Sequence, residues 1–321
     1  MSFEYTEITD PLYVENKKNN AEDDFIMVRA KEYSDVPISI PQWQPAAHCF
    51  TTRFKNYEKN LLTAEVYPDD VWVASYPKSG TTWCQEMVWL ICNGLDFEAA
   101  RAESLRTRFP FFDVSLIHDT QISSFERVRQ HPRPRFIKTH LPVSLLPKSY
   151  WAVKPKTVYI RRNPKSVAVS YFHHSRGIFY RGTMDNFLQS FMREHHFYSP
   201  YHAHVIEYHE LRGCDNVLYL SYEDMKRDLR AVVDRVCAFF GKSYKEAELQ
   251  QLCAHLSFES MRENKAVNYE DPNVPRKDGS QFMRKGQLAS WAEELSPDMI
   301  DALDQWTHQM VPNEEHRDLF E

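Results

Sequence analysis

The chain of 321 residues is 42% hydrophobic and 14% aromatic, and it carries a formal net charge of −6. A chain of this length and apolar content can bury a large core. The negative charge argues against a general nucleic-acid or anionic-membrane binder, because no overall positive field attracts those polymers, so any anion site must be local.

The sequence carries no pattern of a secretion signal or a membrane segment. Residues 1–24 are polar and acidic, and no run approaches about 18 consecutive apolar residues. The six cysteines are scattered without a Cys-x-x-Cys spacing. This usage is typical of reduced thiols in an intracellular protein, so we expect a cytoplasmic chain without a membrane partner.

The N-terminal part is predicted to be less ordered than the rest. Residues 1–35 are polar and charged and are expected to form a loosely packed arm, followed by a single domain over residues 36–321. Residues 36–45 contain prolines and are expected to be extended. A short helix is predicted from Arg53 to Leu62.

Residues 71–94 have the pattern of a strand, a small-residue loop and a helix. Val71 to Ser75 is a short apolar run of strand type. Tyr76 to Gly80 contains proline, serine and glycine, which end the strand and favour a tight turn. From Thr81 the apolar residues recur at helical spacing and predict a buried stripe of Trp83, Met87, Leu90 and Ile91, and Gly94 suits the C′ position of that helix.

This strand–loop–helix pattern predicts an anion site. Backbone N–H groups at a helix start are unpaired, and the positive end of the helix dipole faces the preceding loop. Lys78 adds a positive charge, and hydroxyl donors follow at Ser79, Thr81 and Thr82. The loop differs from a Walker A motif, since its lysine precedes Gly80 and it contains no Gly-Lys-Ser/Thr.

Strands alternate with helical patterns along the rest of the chain. This alternation predicts an α/β fold with a mainly parallel central sheet flanked by helices. Three further predicted strands each end beside a residue suited to a binding site: Arg135 to Thr139 before His140, Thr157 to Arg161 before Arg162, and Asn216 to Ser221 before Tyr222. Because ligands bind beyond the carboxyl ends of such strands, these residues are expected to meet Lys78 at one edge of the sheet.

Helices are predicted between and after these strands. Asn163 and Pro164 suit the N-cap and the first position of a helix that continues to about His174. Further helical patterns run from Met184 to Tyr208, from about Asp228 to Phe240, and onward from Ser296-Pro297, the last with Met299, Leu303, Trp306 and Met310 on one face. Residues 269–279 are polar with two prolines and are expected to form a mobile loop.

The segment Phe109-Pro-Phe-Phe112 places three aromatic rings in a non-helical setting. The rings form either a piece of core beneath a loop or an apolar wall of a substrate pocket. The sequence leaves both interpretations open.

His140 is the candidate acid–base residue. Imidazole titrates near cellular pH and can take the proton of a hydroxyl acceptor, which is a poor nucleophile until that proton is removed. Lys138 lies two residues earlier on the same predicted strand, so it faces the same side and is suited to stabilise negative charge. His202, His204 and His209 lack cysteine or carboxylate partners at a convincing spacing, so no metal is predicted.

The string Tyr76-Pro-Lys-Ser-Gly-Thr-Thr-Trp83 closely resembles the 5′-phosphosulfate loop of the cytosolic sulfotransferases, which use 3′-phosphoadenylyl sulfate (PAPS) as sulfuryl donor. The segment from Tyr159 to Ser170 matches a second family signature, and Arg284-Lys-Gly286 matches a third. Lys138-Thr-His-Leu-Pro142 matches the family's catalytic segment. The resemblance covers about residues 67–286 and implies a P-loop-like sulfotransferase fold.

The resemblance implies a binding residue for each part of the donor. The phosphosulfate is assigned to Lys78, Ser79, Gly80, Thr81, Thr82 and Trp83. The 3′-phosphate is assigned to Arg162, Ser170, Arg284, Lys285 and Gly286. The adenine is assigned to the space between Trp83 and Tyr222, with Phe258 at its edge and with Leu256 and Ser257 alongside. Leu256 stands where the family usually has a hydroxyl residue, and the family's C-terminal dimer motif is missing, so a monomer and a homodimer both stay open.

The reaction implied by the resemblance is an in-line displacement. The acceptor oxygen attacks sulfur, His140 accepts its proton, and adenosine 3′,5′-bisphosphate (PAP) leaves, while Lys78 neutralises charge on the bridging oxygen and Lys138 binds the sulfuryl oxygens. No metal is expected to take part. With Lys138 and His140, the candidate acceptor contacts are aromatic and favour a small apolar alcohol or phenol: Phe109, Phe111, Phe112, Tyr171 and Phe172. The sequence does not identify the acceptor.

Two alternative functions stay open at the level of sequence. One is a small-molecule kinase of P-loop type, against which the loop's missing Gly-Lys-Ser/Thr and the lack of a clear strand-end aspartate for magnesium both count. The other is a non-catalytic nucleotide-binding protein, against which the pair of Lys138 and His140 counts.

Overall fold

The computed structural model describes residues 2–17, 24–118, 120–178, 180–268, 283–284 and 286–321. The strands are β1 (Phe3–Glu7), β2 (Phe25–Ala30), β3 (His48–Thr51), β4 (Val71–Ala74), β5 (Phe136–Thr139), β6 (Lys156–Arg161) and β7 (Val217–Ser221). The helices are α1 (Pro11–Asn16), α2 (Phe54–Leu62), α3 (Thr81–Cys92), α4 (Phe97–Ala102), α5 (Leu105–Arg108), α6 (Ser124–Arg129), α7 (Lys148–Val153), α8 (Pro164–Ile178), α9 (Met184–Met192), α10 (Tyr201–Glu210), α11 (Tyr222–Arg227), α12 (Leu229–Phe239), α13 (Glu246–His255), α14 (Phe258–Glu263), α15 (Pro297–Met310) and α16 (Glu314–Arg317). The predicted loop over residues 269–279 and Lys285 lie outside the described residues.

A four-stranded parallel sheet lies at the centre of the fold. Its strand order is β5–β4–β6–β7, and each neighbouring pair is parallel. Along β4, Trp72 and Ala74 pack into one apolar core, whereas Val71 and Val73 pack into another. Successive strand residues point to opposite faces, so both faces of the sheet are covered. The predicted α/β class with a parallel central sheet is confirmed.

The strand register brings the predicted site segments to one edge of this sheet. Ala74 at the end of β4 lies beside Thr139 at the end of β5. Arg161 at the end of β6 lies beside Ser221 at the end of β7. The residues that follow these strands therefore share the carboxyl edge, as the sequence predicted.

Helix α3 follows the loop after β4 and presents its apolar face to the sheet. Met87, Leu90 and Ile91 are fully buried, as their helical spacing predicted, whereas Trp83, predicted on the same stripe, is half-buried. Asn93 caps the helix, and Gly94 takes a left-handed φ of 68°, the conformation of a C′ glycine. This packing fixes the direction in which the N-terminus of α3 points.

The described N-terminal residues are not a loosely packed arm. Strands β1, β2 and β3 form an antiparallel sheet. Phe3 packs edge to face on Phe54 at 5.2 Å between ring centroids, and Ile26 and Val28 are buried in the main core. Phe3 and Tyr5 alternate with polar residues along β1, and β2 begins with four consecutive apolar residues. The average polarity of residues 1–35 conceals these two short apolar patterns.

The predicted helical segment from Met184 to Tyr208 is interrupted. Helix α9 ends at Met192 and α10 begins at Tyr201. Between them, Glu194 and Tyr198 have positive φ values of 66° and 70°, and Pro200 lacks the N–H that a continuing helix would need. The break brings Tyr198 into the core of the molecule.

The C-terminal helix α15 has Ser296 as its N-cap, whose side chain accepts a hydrogen bond from the backbone of Met299. Leu303 and Trp306 are buried on its inner face, whereas Met310, predicted on the same face, is 39% exposed at the end of the helix. Across the described ranges, no helix combines the length and apolar character needed to cross a membrane.

Candidate active site

The loop between β4 and α3 turns through two residues in the left-handed region. Lys78 has a φ of 69° and Gly80 a φ of 100°. A β-carbon at Gly80 would lie 2.7 Å from Cδ2 of Tyr222, so both the space and the backbone conformation require glycine. A non-glycine residue at positive φ costs free energy, and such residues cluster at binding and catalytic sites. The left-handed backbone at Lys78 agrees with the functional loop that the sequence predicts at this position.

The side chains of this loop fit an anionic group. Ser79 is fully buried, and its Oγ has no hydrogen-bond partner among the residues that the structure describes. Thr82 is also buried, and Oγ1 of Thr81 lies 2.7 Å from Oγ of Ser75. A buried hydroxyl beside the N-terminus of a twelve-residue helix suits an oxygen atom of a phosphate or phosphosulfate.

Arg162 is fixed against the loop. Its Nη1 donates to the carbonyl oxygen of Lys78 at 3.2 Å, and its guanidinium carbon lies 4.1 Å from the centre of the Tyr222 ring. The hydroxyl of Tyr201 donates to the carbonyl oxygen of Arg162. Within the described ranges, the buried Nε of Arg162 has no partner. A fixed guanidinium with remaining donor capacity suits phosphate recognition.

Trp83 and Tyr222, the predicted adenine residues, contact each other edge to face. Their ring centroids are 5.6 Å apart with planes at 68°. Nε1 of Trp83 donates to the carbonyl oxygen of Leu256 at 2.8 Å, whereas the Leu256 side chain is buried in the core. Residue 256 therefore contacts Trp83 through its backbone carbonyl oxygen, which a leucine provides as well as a hydroxyl residue would. The placement of adenine between the two rings stays a prediction.

Two further predicted donor-binding segments meet beside α14. The Ser257 hydroxyl caps this helix by accepting from the backbone N–H of Ser260 at 3.2 Å. Gly286 has a φ of 60°, and a β-carbon there would overlap the ring of Phe258. The close approach of Gly286 to Phe258 joins the third sequence signature to the predicted edge of the adenine site.

The predicted 3′-phosphate ligands include two arginines that interact electrostatically. Burial lowers the pKa of Arg162, and the positive charge of Arg284 lowers it further. Arg284 forms an ion pair with Glu294, whose Oε2 lies 2.5 Å from Nε2 of His173. His173 lies three residues after Ser170 on α8, so the two side chains share a helix face. Arg162, Ser170 and Arg284 thus belong to one region.

His140 is held as an oriented, neutral imidazole. Its Nδ1 lies 2.6 Å from the carbonyl oxygen of Ser75, so Nδ1 donates and Nε2 is the basic nitrogen. Burial, and next the charge of Lys138, hold the pKa of His140 well below 6.5. The charge of Lys78 acts in the same direction, which places the loop lysine within electrostatic reach of the imidazole. His140 is therefore suited to accept a proton at cellular pH.

Two aromatic rings and a second histidine surround His140. Phe111 and Tyr198 both contact its ring edge to face, at centroid distances of 5.1 and 5.4 Å. Nε2 of His204 lies 3.0 Å from the carbonyl oxygen of His140, and Nδ1 of His204 lies 3.0 Å from the hydroxyl of Tyr159. Sequence reasoning missed Tyr198, whose position follows from the break between α9 and α10. The position of His140 is thus fixed from several sides.

Lys138 lies beside His140 through a contact that the sequence did not predict. The backbone of Phe111 bridges to Lys138 in parallel, which adds residues 110–112 to the edge of β5. The ammonium group of Lys138 lies 4.1 Å from the centre of the Phe111 ring. Burial lowers the pKa of Lys138 to about 8, against the opposing effect of the Asp113 carboxylate. Phe111 therefore contacts both the candidate base and the candidate charge-stabilising lysine.

Asp113 is a further residue of the site that sequence reasoning missed. It is fully buried, and its Oδ1 accepts from Oγ1 of Thr139 at 2.6 Å and from the backbone N–H of His140 at 3.2 Å. Burial raises the pKa of Asp113 to about 6. Nothing in the sequence distinguished it from other acidic residues near the phenylalanine cluster, because its role depends on the pairing of residues 110–112 with β5.

Most of the predicted acceptor wall belongs to the core. Phe109 packs on Phe136 at a centroid distance of 5.6 Å, and Phe112 packs on Trp72 at 5.1 Å. Phe172 contacts Phe187 at 5.6 Å, and Tyr171 contacts Tyr76 at 6.2 Å. The structure therefore supports a core role for Phe109, Phe112 and Phe172. Phe111, which contacts His140, stays a candidate for the wall of the acceptor pocket. Tyr171 lies between these cases, beside the first residue of the signature loop.

The histidines considered as metal ligands have other contacts. Nε2 of His202 lies 3.1 Å from the hydroxyl of Thr307, and the ring of His209 contacts Tyr219 at 5.0 Å. His204 supports His140, as described above. In the part of the chain that the structure describes, no group of three histidine, cysteine or acidic side chains is arranged to hold a metal.

The fold and the site together define an α/β enzyme of the group-transfer class, with a strand–loop–helix suited to an anion and a neutral imidazole at the same sheet edge. A family profile described as the sulfotransferase domain matches residues 68–315. Luciferin sulfotransferase of Photinus pyralis is 40% identical over 281 residues, which cover 80% of this chain and 76% of that protein. Sulfotransferase 1A1 of Bos taurus is 38% identical over 241 residues, which cover 72% and 79%. The chain belongs to the sulfotransferase family and is a transferase of sulfuryl groups.

Solved structures lead to the same assignment, since a mouse sulfotransferase complexed with PAP superimposes with a TM-score of 0.68 at 26% identity, covering 85% of this chain and 95% of that one. Retinol dehydratase in a complex with retinol and PAP superimposes with a TM-score of 0.85 at 29% identity, covering 96% of each chain. The same enzyme with androsterone and PAP gives the same values. The predicted sulfotransferase fold is therefore confirmed, and the family assignment favours sulfuryl transfer over the kinase and non-catalytic alternatives.

Proposed function

We propose that this sulfotransferase transfers the sulfuryl group of PAPS to the hydroxyl of a small apolar alcohol or phenol, with His140 as general base. One observation carries the proposal: the 2.6 Å contact between Nδ1 of His140 and the carbonyl oxygen of Ser75. Ser75 directly precedes the signature loop, so the base and the donor-binding loop are fixed relative to each other. The PAP bound to the related retinol dehydratase supports the choice of donor.

The residues at the carboxyl edge of the sheet divide the donor between them. Lys78, the buried Ser79 hydroxyl and the N-terminus of α3 hold the 5′-phosphosulfate by charge and hydrogen bonds. Arg162 and Arg284 hold the 3′-phosphate, for which two guanidinium groups in one region are suited. The donor supplies an activated sulfuryl group and a phosphate that can leave.

His140 accepts the acceptor's hydroxyl proton at Nε2 as the new oxygen–sulfur bond forms. The bond between sulfur and the bridging phosphate oxygen breaks, its electron pair stays on the departing phosphate, and Lys78 neutralises the charge that develops there. Lys138 stabilises the sulfuryl oxygens from the acceptor side. Asp113 holds the backbone at His140 and supplies the negative charge that keeps Lys138 protonated.

The acceptor class follows from the surroundings of the base. Phe111 and Tyr198 provide apolar surface against His140, which suits a flat apolar molecule with one hydroxyl group. Retinol and androsterone, bound by the related retinol dehydratase, are apolar alcohols and support this choice. We also propose a cytosolic location, because the six cysteines are free thiols, as a reducing compartment maintains.

Calorimetry and a turnover assay test the proposal together. Purified protein is titrated with PAP and then incubated with labelled PAPS and a panel of phenols, steroid alcohols and other apolar alcohols. We expect PAP binding and sulfation of at least one panel member without added metal. A chain that fails to bind PAP, or that needs a divalent cation for turnover, would refute the proposed mechanism.

A further inference from the structure

A carboxylate lies among the predicted ligands of the 3′-phosphate. Glu294 forms an ion pair with Arg284 through Oε1, and its Oε2 lies 2.5 Å from Nε2 of His173. His173 shares a face of α8 with the predicted phosphate ligand Ser170. A negative side chain at a site for a dianion is electrostatically unfavourable for the ligand, so its presence calls for a function.

The Arg284–Glu294 pair is shielded from solvent. The two side chains are 28% and 17% exposed, so water screens their interaction less than that of a surface pair. The positive charge of Arg284 also reaches Arg162, the other guanidinium of the predicted phosphate site. The charge of Glu294 is therefore close enough to affect any anion that binds there.

Glu294 is held in this position by its neighbours. It directly follows the 3₁₀ helix Ser290–Glu293, in which the ring of Trp291 contacts the ammonium group of Lys165 at 4.9 Å. Lys165 lies on α8, the helix that also carries His173. Contacts with α8 therefore position both the Glu294 carboxylate, through His173, and the 3₁₀ helix that precedes it, through Trp291.

We propose that Glu294 competes with the 3′-phosphate of the nucleotide for the guanidinium of Arg284, and that it thereby limits how tightly PAP is held. This inference rests on the proposed function, since it assumes that PAP binds at Arg162 and Arg284. A phosphate that takes a hydrogen bond from Arg284 weakens the pair with Glu294 and lies near its negative charge. Both effects oppose binding and favour release of the product nucleotide.

The substitution Glu294→Gln tests this competition. Glutamine keeps an acceptor oxygen of similar shape and removes the charge. We expect PAP to bind about tenfold more tightly by calorimetry and to dissociate correspondingly more slowly in stopped-flow displacement. Damage to the fold would weaken binding, so a gain in affinity is a result that mere structural disturbance does not produce. Asp301→Asn, an exposed position on α15 with the same charge change, should leave the affinity within about twofold.

A double-mutant cycle assigns the effect to Arg284. In an Arg284→Met background, the gain from Glu294→Gln should largely disappear, because the shared guanidinium is gone. Unchanged or weaker PAP binding by Glu294→Gln, alongside normal binding by the wild-type chain, would overturn the competition and leave the proposed function intact. Failure of the wild-type chain itself to bind PAP would instead remove the proposed function.

Discussion

Ser75 contacts the imidazole of His140 through two of its oxygen atoms. Nδ1 of His140 lies 2.6 Å from the carbonyl oxygen of Ser75 and 3.3 Å from its Oγ. The same Oγ lies 2.7 Å from Oγ1 of Thr81, the first residue of α3. A single residue therefore joins the candidate base to the helix that follows the loop of residues 76–80, so displacement of this loop also displaces the base.

Removal of the imidazole should separate catalysis from donor binding. His140→Ala deletes the basic Nε2 and leaves Ser75 and the loop backbone in place. We expect kcat to fall by roughly 10²- to 10⁴-fold, the usual contribution of a general base, while PAP affinity in calorimetry stays within a few-fold of wild type. The half-buried His131, whose Nε2 lies 2.9 Å from the carbonyl oxygen of Thr107, provides the control, since His131→Ala should retain full turnover. Undiminished turnover by His140→Ala would show that another group takes the proton.

For PAP binding, the limited space around Gly80 should matter more than its backbone conformation. Gly80→Ala places a β-carbon 2.7 Å from Tyr222, whereas Gly94, with a φ of 68°, has nothing within 4 Å of the same position. Both substitutions put alanine in the left-handed region and should cost about 1 kcal/mol of stability. Only Gly80→Ala should weaken PAP binding, by roughly tenfold or more in calorimetry. Equal losses of affinity in both variants would mean that backbone strain, rather than the contact with Tyr222, is responsible.

The sequence was sufficient for the parts of the site that lie on single strand ends. Lys78, His140, Arg162 and Tyr222 each follow a strand whose local pattern is clear, and parallel topology brings strand ends together. Ser79 could be placed in the loop after β4 because the glycine and the helix start that follow it are local sequence signals. These residues could be placed without knowing any long-range pairing.

The rest of the site depends on contacts that no local pattern encodes. Asp113 reaches His140 because residues 110–112 pair with β5, and this pairing joins positions more than 20 residues apart. Tyr198 reaches His140 because the chain leaves helical geometry between α9 and α10. The strands β1 and β2 were missed for a related reason, since each is stabilised by a partner strand and a buried face rather than by its own composition.

The charge of Lys138 should define the alkaline limit of activity. The pKa of Lys138 is lowered to about 8 by burial, so its ammonium group loses a proton as pH rises through that value. If Lys138 stabilises the transferring group, kcat/KM should fall above about pH 8. The Asp113 carboxylate raises the pKa of Lys138. Asp113→Asn should therefore move the alkaline limb toward lower pH, by roughly one unit.

The variant Lys138→Arg provides the matched comparison for this pH profile. A guanidinium stays protonated throughout the accessible range, so the decline of kcat/KM near pH 8 should disappear even where the absolute rate is lower. The measurement is kcat/KM from pH 6 to 10 for the wild type and both variants. An alkaline limb that persists unchanged in Lys138→Arg would assign it to another group.

Buried neutral histidines should make the fold sensitive to acid. Burial lowers the pKa of His48 to about 4 and those of His196, His202 and His204 to about 3. The unfolded chain takes up protons at these residues as pH falls below about 6.5, and the folded chain does not, so the free energy of unfolding decreases from that pH downward. Glu207, whose pKa burial raises to about 8, acts in the opposite sense: its contribution is complete below about pH 4.5 and is lost as pH rises through 8.

The histidine at position 196 allows this dependence to be measured at one residue. His196 stacks on Phe187 at a centroid distance of 4.2 Å, and His196→Phe retains an aromatic ring while it removes the titrating group. Urea unfolding between pH 7 and 4 should show a shallower decline in this variant, by up to roughly 1.4 kcal/mol per pH unit. The slope is compared rather than the stability at any one pH, because the substitution also changes packing. The exposed His308 serves as the control, because His308→Gln should keep the wild-type slope. If His196→Phe also shows the wild-type slope, burial does not keep His196 neutral.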